Sequence, residues 1–203
     1  MENELDGNSY EGQMMCSLAR VPEILRVGKQ NGFEHRSQNL DLRQETELLY
    51  ENFKTSLRQM GAQWAAIQAP GGTDGYPPLV GLRLHAHYQR LYGLGLAIGI
   101  ILNHVLSAFY VDDRELMLES TNLAEEIVVL AQEAVRYRPL GATYIVLCLM
   151  AAWIGALDKS LKRVVENRLL DYQCDFAQEY MQNLTVELED ISRHLCMRET
   201  KLA

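Results

Sequence analysis

The sequence predicts an all-α fold, a single domain of five to seven packed helices with two central apolar helices, and three observations predict it. Apolar residues recur at steps of three, four and seven along most of the chain, the spacing that keeps side chains on one helical face. Strand-like alternation is absent throughout. Two runs, Gly93 to Phe109 and Tyr144 to Leu157, are apolar on nearly every side, as in helices at the middle of a bundle. The length of 203 residues is enough for one domain with a full core. Hydrophobic content of 48% beside 23% charged residues is globular composition.

Residues 1–39 read as an N-terminal extension in which Met14, Leu18, Val21, Leu25 and Val27 space a short helix, with Pro22 limiting how it starts. The helical domain is expected to occupy residues 40–203. Its first helix carries Leu42, Leu49, Phe53, Leu57, Met60, Trp64 and Ile67 on one face, while Arg43, Glu47, Glu51, Lys54 and Arg58 fall mostly elsewhere. It should end before Pro70, because Pro70 to Pro78 is rich in glycine and proline and is the best candidate for a flexible excursion.

The next helix, from about Leu79 to Tyr110, contains Gly93, Gly95 and Gly99. Each costs about 1 kcal/mol against alanine in a helix, so the three together predict a close backbone approach by a neighbour. Their spacing does not fit a dinucleotide-binding loop, which also needs a strand-to-helix turn. Asp112 is placed as the cap of the following helix, with Glu115 reaching back to it. Leu116, Leu123, Ile127, Leu130, Ala134 and Tyr137 form that helix's apolar stripe. Arg138-Pro139-Leu140-Gly141 then turns the chain. A helix from about Thr143 to Leu157 follows. From near Ser160 a last helical region carries Leu161, Val165, Leu169, Tyr172, Phe176, Tyr180, Leu184, Leu188, Ile191 and Leu195, a spacing that fits one helix or two.

Composition restricts the function. A net charge of -8 without clustered Lys and Arg argues against direct nucleic-acid binding. Both apolar runs are too short or too interrupted to span a bilayer, which needs about 20 apolar residues, so no membrane partner is expected. The four cysteines, Cys16, Cys148, Cys174 and Cys196, lack metal-ligand spacing and suit a reducing compartment. No metal or other cofactor is expected.

Few residues suggest chemistry. His85 and His87 point to different helix faces and read as surface or partly buried histidines. Asn103 and His104 lie inside an apolar run and read first as a hydrogen-bonded core pair. In an enzyme, His104 would be the proton donor or acceptor to test first, with Asn103 and Asp112. Asp112, Asp113 and Glu115 have the oxygens for a hard cation, but capping accounts for all three. The helix after Asp112 has a negative outer face, and Glu119, Glu125, Glu126 and Glu133 are its interaction candidates.

Several segments fall in a distinctive order: Tyr92-Gly93-Leu94-Gly95-Leu96-Ala97-Ile98-Gly99, Asp112-Asp113-Arg114-Glu115-Leu116, Arg138-Pro139-Leu140-Gly141, Cys148-Leu149-Met150-Ala151-Ala152-Trp153 and Leu170-Asp171-Tyr172-Gln173-Cys174-Asp175-Phe176. Together they resemble the C-terminal part of the helical regulatory domain of fungal zinc binuclear-cluster transcription factors. The resemblance covers about Leu79 to Phe176 and extends to the helix from Leu40 to Ala69. The six-cysteine zinc module through which that family binds DNA has no counterpart in these residues.

The resemblance therefore implies a transcription-regulator-like protein in the nucleus or cytoplasm that acts through protein contacts or a small-molecule effector. Its implied partners are a full-length transcription factor or a second copy of itself. An alternative is a helical fold converted to a small-molecule-binding protein or enzyme of cyclase or isomerase type in fungal secondary metabolism. A third is that the chain is a fragment of a longer factor.

Overall fold

Five α-helices follow one another in the computed structural model, which describes residues 40–110 and 113–175 together with Gly12, Cys16, 19–24 and Arg26. They are α1 (Leu40–Gln68), α2 (Pro78–Phe109), α3 (Arg114–Ala134), α4 (Tyr144–Gly155) and α5 (Lys159–Gln173), with single 3-10 turns at Val135–Tyr137 and Leu140–Ala142. Residues 19–24 are also helical, and Val21 and Ile24 join the core. No strand occurs among the described residues, so the domain is all-α as its periodicity predicts.

Helix α1 buries Leu49, Phe53, Leu57, Met60 and Trp64, as the spacing requires, and adds Thr46, Tyr50 and Ser56 to the same face. Ile67 is only half-buried. The segment after α1 is a chain of hydrogen-bonded turns: Gly72 N–H donates to Ala69 O at 2.8 Å, Asp74 N–H to Gly71 O at 3.0 Å and Tyr76 N–H to Thr73 O at 3.0 Å. Gly71 takes φ +85°, the left-handed region that a side chain disfavours. Pro78 then opens α2, where its missing N–H has no intrahelical partner to lose.

Helix α2 is the hub, packed against α1, α3 and α4, while α4 packs on α2, α3 and α5. These are the two central apolar helices. The glycines of α2 serve side-chain packing and not the backbone approach expected of them. A Cβ on Gly95 would lie 3.0 Å from Leu57 Cδ1 on α1, and one on Gly99 would lie 3.2 Å from Leu123 Cδ1 on α3. Close backbone approach occurs instead at the end of α4, where a Cβ on Gly155 would meet Ser120 O of α3 at 3.1 Å. Over Pro78–Ser107, α2 is long and apolar enough by length and composition to cross a membrane, and 61% of its apolar window is buried by the rest of the fold. That corrects the shorter run marked out by Asn103 and His104. Both residues lie inside one uninterrupted helix.

The cap of α3 is Asp113 and not Asp112. Asp113 Oδ1 accepts the Glu115 N–H at 2.9 Å and the Leu116 N–H at 3.2 Å, filling two of the donors a helix start leaves open. After α3 the chain turns through the cis Arg138-Pro139 bond. Arg138 then closes the far side of the domain. Its guanidinium donates to both carboxylate oxygens of Asp175, to Oδ2 of Asp171 at 3.0 Å and to the Asp171 carbonyl at 2.6 Å. The same group lies 4.8 Å from the centre of the Tyr172 ring. The Tyr172 hydroxyl in turn donates to Ala131 O on α3 at 2.6 Å. The turn before α4 and the end of α5 are thereby joined. Helix α5 ends at Gln173, and the apolar positions from Phe176 to Leu195 lie outside the described residues.

Candidate functional site

Asn103 and His104 do not form a pair. Adjacent residues on a helix diverge by about 100°, and here one points inward and the other to a half-buried position. Asn103 is 2% exposed and donates from Nδ2 to the Tyr50 hydroxyl of α1 at 3.0 Å. Burial pushes the Tyr50 phenol well above its usual range, and the Glu119 carboxylate pushes it further, so it stays protonated. His104 accepts the Ser107 hydroxyl on its main-chain carbonyl at 2.7 Å. Asp112 lies outside the described residues. Asn103 thus serves the α1–α2 contact, as a tie to Tyr50 that spacing along one helix cannot disclose.

The acidic side of α3 is likewise engaged with its neighbours. Glu126 accepts from the Tyr92 hydroxyl of α2, and Glu133 accepts from Gln68 Nε2 of α1 at 2.6 Å. Of the four glutamates marked as an interaction face, Glu126 and Glu133 therefore brace α3 against α2 and α1, Glu119 is half-buried and Glu125 stands exposed. The larger exposed features are apolar: Leu140 is 81% exposed and Leu147 on α4 is 62% exposed.

A second polar cluster surrounds His85, which is half-buried as its place on α2 led one to expect. The imidazole meets the Trp64 ring of α1 edge-on at 4.5 Å between centres. Its Nδ1 lies 2.6 Å from the Tyr137 hydroxyl, and its Nε2 lies 2.7 Å from an Arg136 guanidinium nitrogen. Because Arg136 can only donate, Nε2 must accept, which places the proton of the neutral ring on Nδ1 facing Tyr137. Burial lowers the His85 pKa and the Arg136 charge lowers it further. Trp64 and Tyr137 were each legible as stripe residues. Their convergence on His85 depends on how three helices meet.

Of the described cysteines, Cys16 and Cys174 are exposed and Cys148 is buried. Cys148 is buried against Gly93 and Tyr144, and desolvation pushes its thiol up to about 12, so the reactive thiolate is suppressed. Among the described residues no group of three or more His, Cys, Asp or Glu side chains is placed to hold a metal ion. No known protein family matches the chain, and no curated protein or solved structure is detectably similar to it.

Proposed function

We propose that this chain is a regulatory protein of the fungal transcription-factor type, acting through protein contacts or a small-molecule effector. The observation that supports the reading is the meeting of segments that carry the resemblance. Arg138 of the turn before α4 clasps Asp171 and Asp175 at the end of α5, and Tyr172 ties that end to α3. Distant parts of the motif order are thus mutual structural joints, which is what a shared helical architecture requires. The net charge of -8 fits a domain whose own surface does not grip DNA.

Tethering tests this directly. Fused to a heterologous DNA-binding module in a fungal cell, the chain should change output from a reporter several-fold relative to the module alone. Glu125→Lys, made together with Glu115→Lys, should weaken that effect if the exposed acids contact the partner. Reporter output equal to that of the module alone, with the fusion stably expressed, would sink the reading.

A further inference from the structure

Helix α4 is apolar on nearly every side, the composition of a helix covered all round, yet one of its sides is open. Leu147 is 62% exposed, and Met150 and Ile154, at steps of three and four along the same face, are only half-buried. Leu140 in the turn before α4 and Leu157 just past its end are exposed as well. Helices α2, α3 and α5 pack on its other sides. An open apolar face on a helix of this composition is the mark of a partner surface.

The sequence supplies a matching face. The described residues end at Asp175, whose carboxylate accepts from the Arg138 guanidinium at 2.8 Å, two residues ahead of Leu140. Residues 176–203 therefore depart from the end of the domain at which α4 begins. Leu147, Met150, Ile154 and Leu157 step by three, four and three, and Leu184, Leu188, Ile191 and Leu195 step by four, three and four. Each line keeps to one side of a helix and repeats every seven residues, the pattern of two helices packed along their length. The joint between Arg138 and Asp175 sets their register. Leu184 follows Asp175 by nine residues as Leu147 follows Arg138, and Ile191 follows by sixteen as Ile154 does. A helix from Phe176 to Leu195 would be about 30 Å long, against about 18 Å for the 12 residues of α4, so it reaches past the whole face.

Charge agrees with this placement. Trp153, one turn after Met150, borders the open side and donates to Glu166, while Arg138 before α4 holds Asp171, so α5 flanks that side and runs antiparallel to α4. A helix parallel to α4 would carry Glu187, Glu189 and Asp190 toward the first turns of α5, which hold Lys159, Lys162 and Arg163. We propose that residues 176–195 form a helix parallel to α4 that covers its open face, with Leu184 against Leu147 and Ile191 against Ile154.

Hydrogen exchange on the full chain, read by mass spectrometry, tests the cover. Peptides within 180–195 should exchange roughly 100-fold more slowly than the same sequence as a free peptide. Leu147→Asp alters a side chain that the core of the described domain leaves exposed, so it should remove about tenfold of that protection while α2 keeps its own. Fast exchange in the unaltered chain, or protection that Leu147→Asp leaves intact, would overturn the proposal. Cross-linking checks the register. In a chain carrying Cys16→Ser, Cys174→Ser and Cys196→Ser, the pair Leu147→Cys and Leu184→Cys should close an intrachain disulfide on mild oxidation, and the pair Leu147→Cys and Leu195→Cys should not. Disulfides that join two chains would assign the face to a second copy, and faster closure to position 195 would mean an antiparallel segment; either result overturns the proposal.

Discussion

At the scale of single residues, His85 and Asn103 show how one helix can carry two polar groups of which only one responds to pH. Asn103 is neutral at every pH, and its bond to Tyr50 is held inside the α1–α2 contact, so it contributes no titration. His85 does titrate. Its folded-state pKa lies below 6.5, first through burial and then through Arg136, and the unfolded chain titrates near 6.5. Between those two values the unfolded state binds the extra proton, so stability falls as pH drops through 6.5 and levels off below the folded value. The facing groups set the sign: Arg136 opposes protonation, Tyr137 and Trp64 are neutral, and Glu133 is turned to Gln68. Urea unfolding midpoints measured from pH 8 to pH 5 should therefore decline more steeply for the native chain than for His85→Phe, which keeps a ring against Trp64 and cannot titrate. Equal slopes would show that His85 is as protonated when folded as when unfolded.

At the scale of helices, α4 and its junctions decide how closely the layers approach. Gly155 sits where a Cβ would lie 2.9 Å from Ile100 Cγ2 and 3.1 Å from the Ser120 carbonyl, and that carbonyl belongs to a helix backbone that cannot swing aside. Alanine raises helix propensity by about 1 kcal/mol over glycine, but overpacking a helix contact costs about 1–3 kcal/mol. Overpacking should win, so Gly155→Ala is expected to destabilise the domain. Gly75→Ala, where nothing lies within 4 Å of the new Cβ, should be neutral or slightly stabilising. Thermal melts of the two variants check the contrast, and a stabilised Gly155→Ala would show that α3 and α4 can separate freely. The sequence disclosed the helices because a stripe such as Leu49, Phe53, Leu57 and Met60 is local and periodic. It hid the partners because periodicity names a face without naming what covers it. Gly93, Gly95 and Gly99 announced crowding without saying that side chains would fill the notches, and Arg138 announced a turn without its carboxylates, Asp171 on α5 and Asp175 just beyond it. The cap moved by one residue for a similar reason, since Asp112 and Asp113 are equally suited by type and only backbone geometry selects between them.

At the scale of the whole molecule, α2 couples the two sides of the domain. It contacts α1 on one side and α3 and α4 on the other, while α5 is held by α4, α3 and the Arg138 clasp. No helix pair can leave without exposing the face of α2 or α4 that it covers. Loss of one layer therefore removes the burial that stabilises the next, which is the condition for a single cooperative transition. The two tryptophans report on opposite sides of that hub. Trp64 lies on α1 beside His85, and Trp153 lies on α4, where its Nε1–H donates to Glu166 of α5 at 2.9 Å and Lys162 sits 4.2 Å from its ring centre. Both are 5% exposed, so unfolding of either layer changes their fluorescence strongly. Trp64→Phe leaves only the α4–α5 reporter, and Trp153→Phe leaves only the α1–α2 reporter. In urea, each variant's fluorescence transition should coincide with its own far-ultraviolet circular dichroism transition. Separation of the two probes in either variant, with one layer melting at lower urea than the other, would show that α2 does not couple them and that the chain unfolds in parts.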